Sequence, residues 1–451
     1  MKATLFPLLL SSTVALALGG CALGSSSSTY GNPSVLPIIR ESRLHGPASS
    51  QGKIQHVVII FQENRSFDNL FQGFPGADTA SEGKNSKGQL IKLQPVSLAT
   101  QYVIDHSFAS FLAACDGAGK LPGTKCRNDG FDKEQAFGGP QNPQYVYVPH
   151  TDSQPYFDMG LQYALGDRMF QSHLDESFVS HQYIIAAQAH HAVNLPFGYW
   201  GCDGGPSDQV STLTQLRTYG PNERACFNYT TMGDLLDKAG LTWHFYASSL
   251  TGDGGEWSGY QAVKHIRFGP DWSKDVISPN TRFFDDLKDG TLSTVTWITP
   301  ICRDSDHVNC GGGFGPSWVA SLVNAVGESQ FWNTTAIFVM WDDWGGLYDH
   351  VPAPYEDYDG LGFRVPLLMI SPYAKKHHVS HVQYETGSIL RFIEDQFGLP
   401  QLAASDKRAN DPALDCFDFN KPPRPFHHIK APVSTDFFMH QINNGQPPDY
   451  E

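Results

Sequence analysis

Continuous apolar runs, without the alternation of a half-exposed strand, are the strongest structural signals in the chain. Residues 57–61 read Val-Val-Ile-Ile-Phe, and residues 336–341 read Ala-Ile-Phe-Val-Met-Trp. Runs of this kind are typical of strands buried on both faces of a sheet with parallel strands. Three more segments are predicted as strands, namely 242–246, 294–298 and 364–370.

Helical patterns separate these runs. The predicted helices are 177–187, 231–239, 318–326 and 384–397. Because strands and helices alternate, we expect an α/β fold with a doubly wound, mostly parallel sheet and helices on both faces. We expect one domain over residues 54–400, with insertions near 100–150 and 200–280 that shape its pocket, and a wrapping tail over 401–451.

Both of the longest apolar runs end in acidic and amide residues. Glu63 and Asn64 follow the first run, and Asp342 and Asp343 follow the second. Open α/β sheets bind ligands at the carboxyl ends of their strands, and two adjacent carboxylates repel each other unless a cation lies between them. If the two strands are neighbours, these four residues predict one site for a divalent metal ion whose identity the oxygen ligands leave open. The first motif alone favours a simpler alternative, a polar strand end in which Arg65 pairs with Glu63.

Three segments carry a resemblance to a known family. Residues 63–68 (Glu-Asn-Arg-Ser-Phe-Asp) and 342–351 (Asp-Asp-Trp-Gly-Gly-Leu-Tyr-Asp-His-Val) resemble two signatures of the bacterial phosphoesterase family that contains the non-haemolytic phospholipases C and a related acid phosphatase. A third match is 362–366 (Gly-Phe-Arg-Val-Pro), continuing through 370–374. The similarity extends from about residue 54 to about residue 400. It implies an alkaline-phosphatase-like core.

The resemblance also implies a nucleophile. Aligning the chain on Tyr183 puts Ser177 at the position of the family's nucleophilic Ser or Thr, and His181 at that of a His or Arg. A hydroxyl at a helix start meets free backbone N–H groups that favour a phosphate, although helix capping is the commoner role of Ser there. Residues 175–176 are Asp-Glu where the family has Gly-Pro, and Ser180 replaces Asn. Ser180 therefore stays open as an alternative nucleophile.

Four histidines complete the implied site. His106 and His307 match histidine elements of the family, and together with His181 and His350 they would bind phosphoryl oxygens or protonate the leaving alkoxide. Asp306 is expected to orient His307. For His106, a surface histidine in a long loop is an equally good interpretation. Histidines that donate while protonated predict an acidic pH optimum.

The resemblance implies metal-dependent hydrolysis of phosphoric esters through a serine phospho-enzyme. The enzyme would be either a phospholipase C or an acid phosphatase, acting on phospholipids or other phosphate esters. The chain leaves no room for the C-terminal domains of longer phospholipases in the family, which favours a general phosphoesterase. A non-catalytic lipoprotein that binds a metal or a phosphate ligand is the alternative, and the altered residues 175–176 are its support.

Charge and the N-terminus define the expected partners and location. The net charge of −15 makes a nucleic-acid partner implausible. An apolar stretch after Met1-Lys2 predicts a signal peptide over 1–20, and 18–21 (Leu-Gly-Gly-Cys) resembles a bacterial lipobox, with an ordinary cleaved signal as the alternative. We expect an exported protein, either a lipoprotein anchored to the membrane of the cell envelope through Cys21 and a tether over 21–53, or a secreted protein.

Export permits disulfides. Proximity along the chain suggests the pairs Cys115–Cys126, Cys202–Cys226 and Cys302–Cys310, and leaves Cys416 unpaired. Sequence alone does not determine connectivity, so buried free thiols are the alternative for any one pair.

Overall fold

The structure is a computed structural model that describes residues 50, 52–249 and 257–442. These residues all belong to one compact unit, Arg43–Glu451. The predicted signal peptide, the lipobox with Cys21 and nearly all of the predicted tether lie outside the described residues. Over the described part of the chain, no helix combines the length and the apolar composition needed to cross a bilayer.

Most strands and helices of the described residues are short. In chain order the strands are β1 (His56–Gln62), β2 (Glu82–Lys84), β3 (Leu90–Lys92), β4 (Gln94–Pro95), β5 (Tyr102–Ile104), β6 (Ala136–Gly138), β7 (Val146–Tyr147), β8 (Ala164–Phe170), β9 (Ala192–Val193), β10 (Gln209–Thr212), β11 (Glu223–Arg224), β12 (Trp243–Tyr246), β13 (Val276–Ile277), β14 (Val295–Ile298), β15 (Thr335–Trp341), β16 (Arg364–Ile370), β17 (His378–Ser380) and β18 (Tyr384–Glu385). The α-helices are α1 (Phe67–Phe71), α2 (Phe108–Cys115), α3 (His150–Gln162), α4 (Ser177–Ala186), α5 (Met232–Lys238), α6 (Lys264–Arg267), α7 (Pro270–Asp275), α8 (Arg282–Lys288), α9 (Gly315–Gly327), α10 (Thr386–Phe397), α11 (Ala404–Arg408), α12 (Ala413–Cys416) and α13 (Thr435–His440).

One nine-stranded sheet organises the described residues. Its strand order is β13-β12-β14-β1-β15-β16-β8-β17, and β18 also pairs with β8. Strand β16 runs antiparallel to both of its neighbours, and the other recorded pairings in this sheet are parallel. The α/β class and the mostly parallel sheet predicted from the apolar runs are therefore confirmed.

Helices cover both faces of the sheet. In β15, the ring of Phe338 packs against Phe392 of α10 with 4.9 Å between centroids, and the ring of Trp341 packs against Tyr156 of α3 at the same separation. Side chains alternate along a strand, so two residues three positions apart point to opposite faces. Helices α10 and α3 therefore lie on opposite faces, as predicted.

Strand β8 lies inside the sheet, yet the apolar pattern did not predict it. Its centre reads Gly-Asp-Arg, which interrupts the hydrophobic run. Asp167 is fully buried, and its carboxylate accepts hydrogen bonds from the backbone N–H of Asp78 at 2.9 Å and from Nδ1 of His381 at 2.8 Å. Tertiary partners that are distant in sequence thus make a charged residue acceptable inside a strand.

The pairing of β1 with β15 is the feature that positions the site. The two strands run parallel with Gln62 opposite Trp341, and the backbone N–H of Asp342 donates to the carbonyl of Gln62 at 3.1 Å. The polar residues that follow each strand therefore emerge side by side at one edge of the sheet.

The three disulfides predicted from proximity are confirmed, and Cys416 is a buried free thiol. Within the first predicted insertion, β5 pairs with β6, and β10 and β11 of the second form a small sheet with β9, which precedes that insertion. Residues 401–442 lie against the sheet domain, where Arg424 donates to the carbonyl of Ala374 at 2.7 Å and the indole of Trp332 donates to the carbonyl of Arg424 at 2.7 Å. The predicted domain boundaries stay predictions.

Candidate active site

The chain turns sharply at Asn64, directly after β1. Asn64 has a φ of 55°, in the left-handed region that Asn tolerates better than most residues. Its backbone N–H donates to Oδ1 of Asp342 at 2.8 Å. Gly345, with a φ of 61°, lies against this turn, and a Cβ atom there would come within 2.5 Å of the carbonyl oxygen of Asn64. The second motif therefore needs glycine at this position.

Ser177 is the first residue of α4 and is fully buried beside this turn. Its hydroxyl donates to Oδ2 of Asp343 at 3.3 Å and accepts from Nδ2 of Asn64 at 3.4 Å. Nδ2 of Asn64 also lies 3.3 Å from Oδ2 of Asp343. Residues from three separate sequence motifs thus meet around one hydroxyl group.

Ser180, the alternative nucleophile, lies one helical turn further along α4. Its hydroxyl donates to the backbone carbonyl of Asp342 at 2.9 Å. This bond connects the helix to the end of β15. The structure therefore gives Ser180 a structural contact and leaves Ser177 as the serine hydroxyl between Asn64 and Asp343.

The acidic pair before Ser177 has a structural role. The carboxylate of Asp175 accepts from the backbone N–H of Asn194, and Oε2 of Glu176 accepts from the backbone N–H of Leu195 at 2.7 Å. Asn194 has a φ of 64°. Asp175 and Glu176 therefore anchor a strained turn that follows β9, which accounts for two acidic residues at the start of α4.

His106 lies inside the site and not on the surface. Its exposed fraction is 2%, its Nδ1–H donates to the carbonyl of Ile104 at 2.9 Å, and its Nε2 lies 2.8 Å from Nδ2 of Asn64. A carbonyl only accepts, so in the neutral ring the proton is on Nδ1 and Nε2 accepts from Asn64. Nε2 is also 3.7 Å from Oδ2 of Asp343. A proton on Nε2 would face this carboxylate.

His307 lies next to His106, with 6.2 Å between the ring centroids. Its Nδ1 accepts from the backbone N–H of Asn309 at 3.2 Å, which leaves the proton of a neutral ring on Nε2. The structure thus places two of the predicted histidines together, and they come from segments about 200 residues apart.

Asp306 does not orient His307 as expected. Its Oδ2 accepts from the hydroxyl of Tyr156 at 2.8 Å and from the indole N–H of Trp341 at 3.0 Å. Burial raises the pKa of Asp306 to about 6. Its recorded partners connect α3 to the end of β15, and this interpretation of the Asp-His pair was therefore wrong.

His350 makes its contacts in a second group of charged residues, which is partly buried. Its Nδ1 lies 2.6 Å from Oδ2 of Asp68, and its Nε2 lies 3.0 Å from Oδ1 of Asp78. Arg364, fully buried, is bonded to both Asp68 and Asp349 in the same group. Burial alone would lower the pKa of His350, but the hydrogen bonds to these carboxylates raise it to about 10. The structure therefore does not bring His350 into contact with Ser177.

A compact set of metal-ligand atoms lies at the strand ends. Glu63, His181 and Asp342 are fully buried, and one ligand atom of each lies within 4.8 Å of the others. Nε2 of His181 is 3.1 Å from Oε1 of Glu63. Oδ2 of Asp342 and Oδ1 of Asn64 are buried and accept no hydrogen bond from any residue that the structure describes. Buried oxygens without a donor are costly, and a divalent cation would satisfy them.

This set differs from the predicted ligands in two positions. His181, predicted to bind the phosphoryl group, lies with the candidate ligands instead. Asp343, predicted as a ligand, accepts from the backbone N–H of Gly345 at 2.7 Å through Oδ1, and its Oδ2 faces Ser177 and Asn64. The prediction made the pairing of the two strands a condition, which the structure fulfils, but the direction in which each side chain points was not predicted.

The comparison with known proteins agrees with the sequence motifs. The sequence profile of the Phosphoesterase family matches residues 54–400. The chain belongs to the Phosphoesterase family. The resemblance noted from residues 63–68 and 342–351 is thereby confirmed.

Named relatives of this phosphoesterase-family protein are distant. The chain is 25% identical over 426 residues to a non-hemolytic phospholipase C of Burkholderia pseudomallei (strain K96243), a match covering 80% of this chain and 58% of that protein. It is 26% identical over 464 residues to phospholipase C B of Mycobacterium tuberculosis (strain ATCC 25618 / H37Rv), covering 86% and 82%. Among solved structures, an alkaline phosphatase superfamily protein of Vibrio parahaemolyticus aligns over 82% of this chain and 71% of its own, with 11% identity and a TM-score of 0.35. A TM-score this low adds nothing to what the sheet topology of this chain already shows.

One buried residue of this phosphoesterase-family protein carried no signal in the sequence. Oε1 of Glu134 accepts from the indole N–H of Trp344 at 3.4 Å, and the ring of Trp344 lies edge-on to His106, with 5.8 Å between centroids. Burial raises the pKa of Glu134 well above its usual value. Glu134 therefore positions the tryptophan that packs beside His106, and only the fold of the first predicted insertion brings it there.

Proposed function

We propose that the chain hydrolyses phosphoric esters with Ser177 as the nucleophile. The observation that carries this proposal is the position of the Ser177 hydroxyl, at the start of α4 and between Nδ2 of Asn64 and Oδ2 of Asp343. A carboxylate that accepts the hydroxyl hydrogen is the arrangement that activates a serine. Membership of the Phosphoesterase family supports the reaction class.

One divalent metal ion of unspecified identity is part of the proposal. Glu63, His181 and Asp342 would hold it, together with Oδ1 of Asn64. When bound there, a divalent ion polarises the phosphoryl group and lowers the pKa of a neighbouring hydroxyl. The mixed oxygen and nitrogen donors are compatible with several ions.

The protein's own residues account for the proton transfers. Oγ of Ser177 attacks phosphorus, its proton passes to Oδ2 of Asp343, and the bond from phosphorus to the leaving oxygen breaks. His106 or His307, when protonated, gives a proton to the leaving alkoxide. Water then attacks phosphorus of the seryl phosphate and gives a proton to the same histidine, and the bond from phosphorus to Oγ breaks. Oγ of Ser177 takes back the proton held by Asp343, and inorganic phosphate or a phosphomonoester is released. Because the histidines must donate, the rate is expected to fall as they lose their protons at higher pH.

The test uses wild type and the matched variants Ser177→Ala and Ser180→Ala on two substrates, p-nitrophenyl phosphate and p-nitrophenyl phosphorylcholine. We expect Ser177→Ala to lose at least about a thousandfold in kcat, as loss of a nucleophile does. We expect Ser180→Ala to keep most of its activity. Chelation should abolish turnover, and an added divalent metal should restore it.

Each outcome decides one part of the proposal. Turnover of the monoester alone indicates a phosphatase, which the sequence favoured, and turnover of the choline diester indicates a phospholipase C, the activity named in the relatives. Full activity in Ser177→Ala would contradict the serine assignment. Inert wild type on both substrates, with metals supplied, would favour the non-catalytic lipoprotein. The structural role of Asp175 and Glu176 removes the sequence feature that supported this alternative.

We also propose that the chain is exported and carries lipid on Cys21. Three disulfides in the structure support an oxidising compartment. Mass spectrometry of the mature N-terminus from its native membranes would test this proposal. An acylated Cys21 at the first position is expected, and an unmodified N-terminus elsewhere would contradict it.

A further inference from the structure

A second cluster of metal-ligand types involves the last strand of the sheet order, away from the elements that carry Ser177. It contains His378 of β17 together with Asp415 and Cys416 of α12, and one ligand atom of each lies within 4.8 Å of the others. Nε2 of His378 is 2.9 Å from Oδ2 of Asp415, and Sγ of Cys416 is 3.9 Å from the same oxygen. The three residues come from two segments that the fold brings together.

These separations are close to those of a tetrahedral metal site. Zinc binds His nitrogen and Asp oxygen at about 2.0–2.2 Å and Cys sulfur at about 2.3 Å, so neighbouring ligand atoms are about 3.3–3.7 Å apart. The recorded distances of 2.9 Å and 3.9 Å lie on either side of this range. Small side-chain rotations would therefore be enough to place all three atoms around one ion.

The surroundings bury one side of the cluster and leave its other side open to solvent. Cys416 is fully buried, whereas the side chains of His378 and Asp415 are 27% and 25% exposed. A metal ion could therefore enter from solvent, and a water molecule could supply the fourth ligand. Tyr384 closes the inner side, with its hydroxyl 3.5 Å from Sγ of Cys416.

From this geometry we propose a second metal site, formed by His378, Asp415 and Cys416, for a divalent ion of the zinc type. A thiolate and an imidazole select zinc over calcium and magnesium, which prefer oxygen ligands. Binding would displace the thiol proton of Cys416 to solvent. The site is independent of the hydrolysis proposed at Ser177.

The bound ion would fasten the segment after α11 to the sheet. This contact includes the His378–Asp415 pair, the backbone N–H of Lys375 donating to the carbonyl of Cys416 at 2.8 Å, and a bridge between Ala374 and Phe417. A metal that joins β17 to α12 stabilises only the folded state, so its binding free energy adds to the free energy of unfolding. The site is therefore structural in its expected effect.

Cobalt(II) is a suitable probe because its bond to a thiolate gives a charge-transfer absorption band in the near ultraviolet. The candidate active site contains no sulfur ligand and six cysteines form disulfides, so with Cys21 replaced by serine this band reports the second site alone. The experiment titrates the metal-depleted full chain with Co²⁺. Because the candidate active site would also take up Co²⁺, we expect the band to be complete at no more than two equivalents per chain, and Zn²⁺ to remove it by displacement.

Two variants make the test specific. Cys416→Ser should abolish the band while keeping phosphoester hydrolysis, and His378→Gln should weaken Co²⁺ binding at this site by at least tenfold. His378 is partly exposed, so its variant remains informative if Cys416→Ser does not fold. Absence of the band in wild type would overturn the proposal. An undiminished affinity in His378→Gln would also overturn it, because the thiolate would then bind the metal without the predicted partner.

Discussion

The backbone N–H of Asn64 donates to Oδ1 of Asp342 across 2.8 Å, joining the residues that follow two neighbouring strands. This bond fixes the turn that aims the Asn64 amide at Ser177 and His106. It also orients the second oxygen of Asp342, which is buried and accepts no hydrogen bond from the described residues. One contact between two strand ends thus aligns the candidate nucleophile with the candidate metal ligands.

Replacing Gly345 by alanine is expected to disturb the site directly. The new Cβ would lie 2.5 Å from the carbonyl oxygen and 2.9 Å from Cβ of Asn64, at a φ that favours glycine. We expect a loss of more than about 2 kcal/mol in the free energy of unfolding and a loss of activity in the molecules that still fold. Urea unfolding and the p-nitrophenyl phosphate assay measure the two effects.

Gly398→Ala is the matched control for that variant. Gly398 has a φ of 66° at the end of α10, and no atom lies within 4 Å of its would-be Cβ. It therefore isolates backbone strain, expected to cost about 1 kcal/mol, from the clash at Asn64. Equal loss of activity in both variants would contradict the role given to Gly345.

Asp342→Asn is expected to remove metal affinity while keeping the strand-end contact. The carbonyl oxygen of the new amide still accepts from the backbone N–H of Asn64, but the ligand charge is lost. Because residues that only support a metal ligand already contribute about 10- to 100-fold to affinity, we expect at least a hundredfold weaker binding. Isothermal titration with Mn²⁺, which the proposed thiolate site does not favour, measures it, and unchanged Mn²⁺ affinity would contradict the ligand assignment.

His350→Gln is expected to change stability more than catalysis. Burial lowers the pKa of His350, but its bonds to Asp68 and Asp78 outweigh this and raise the pKa to about 10. A raised histidine pKa contributes stability that is fully present below about pH 6.5 and is lost as the pH rises through about 10. We therefore expect the variant to lose about 2–4 kcal/mol at pH 6, and much less near pH 10. The exposed His440→Gln is the control, and unfolding curves across this pH range are the measurement.

A pH-independent loss in His350→Gln would contradict the charged pair. The sequence-based prediction that His350 is catalytic is tested by the same variant. A large fall in kcat with unchanged stability would support that role over the structural one.

Glu394→Gln is expected to be more stable than wild type, by an amount that increases as the pH rises. Burial, and then the neighbouring carboxylate of Asp406, raise the pKa of Glu394 to about 10. The folded protein then keeps a proton that the unfolded chain releases, so stability falls as the pH rises from about 4.5 towards 10. Glutamine retains a donor toward Asp406 and does not titrate. Relative to wild type, the variant should gain up to about 2 kcal/mol between pH 5 and pH 7.

The exposed Glu356→Gln provides the control for this pH series. It removes a carboxyl group of the same chemistry that remains in contact with solvent. A constant difference between Glu394→Gln and wild type over the whole range would show that Glu394 is ionised in the folded protein and would contradict its raised pKa.

Much of the fold follows from the apolar runs. The strands at 57–61 and 336–341, and the apolar residues 365–370, form because burial of their side chains is favourable. Strand β8 did not follow from this pattern. Its buried carboxylate, Asp167, is stabilised by hydrogen bonds from Asp78 and His381, which are far away in the sequence. The pattern predicts burial, and it does not contain the partners that make a buried charge stable.

The sequence by itself indicated most of the candidate residues of the site. Glu63 and Asp342 end apolar runs, and Ser177 begins a helix, because the local pattern decides where an element starts and stops. Only the tertiary structure decided which residues meet: His181 with Glu63, Asp343 with Ser177, and His350 with Asp68. The physical reason is that strand register and side-chain direction depend on packing between distant segments. A sequence motif gives the identity of the residues, and the fold determines which other residues lie next to them in space.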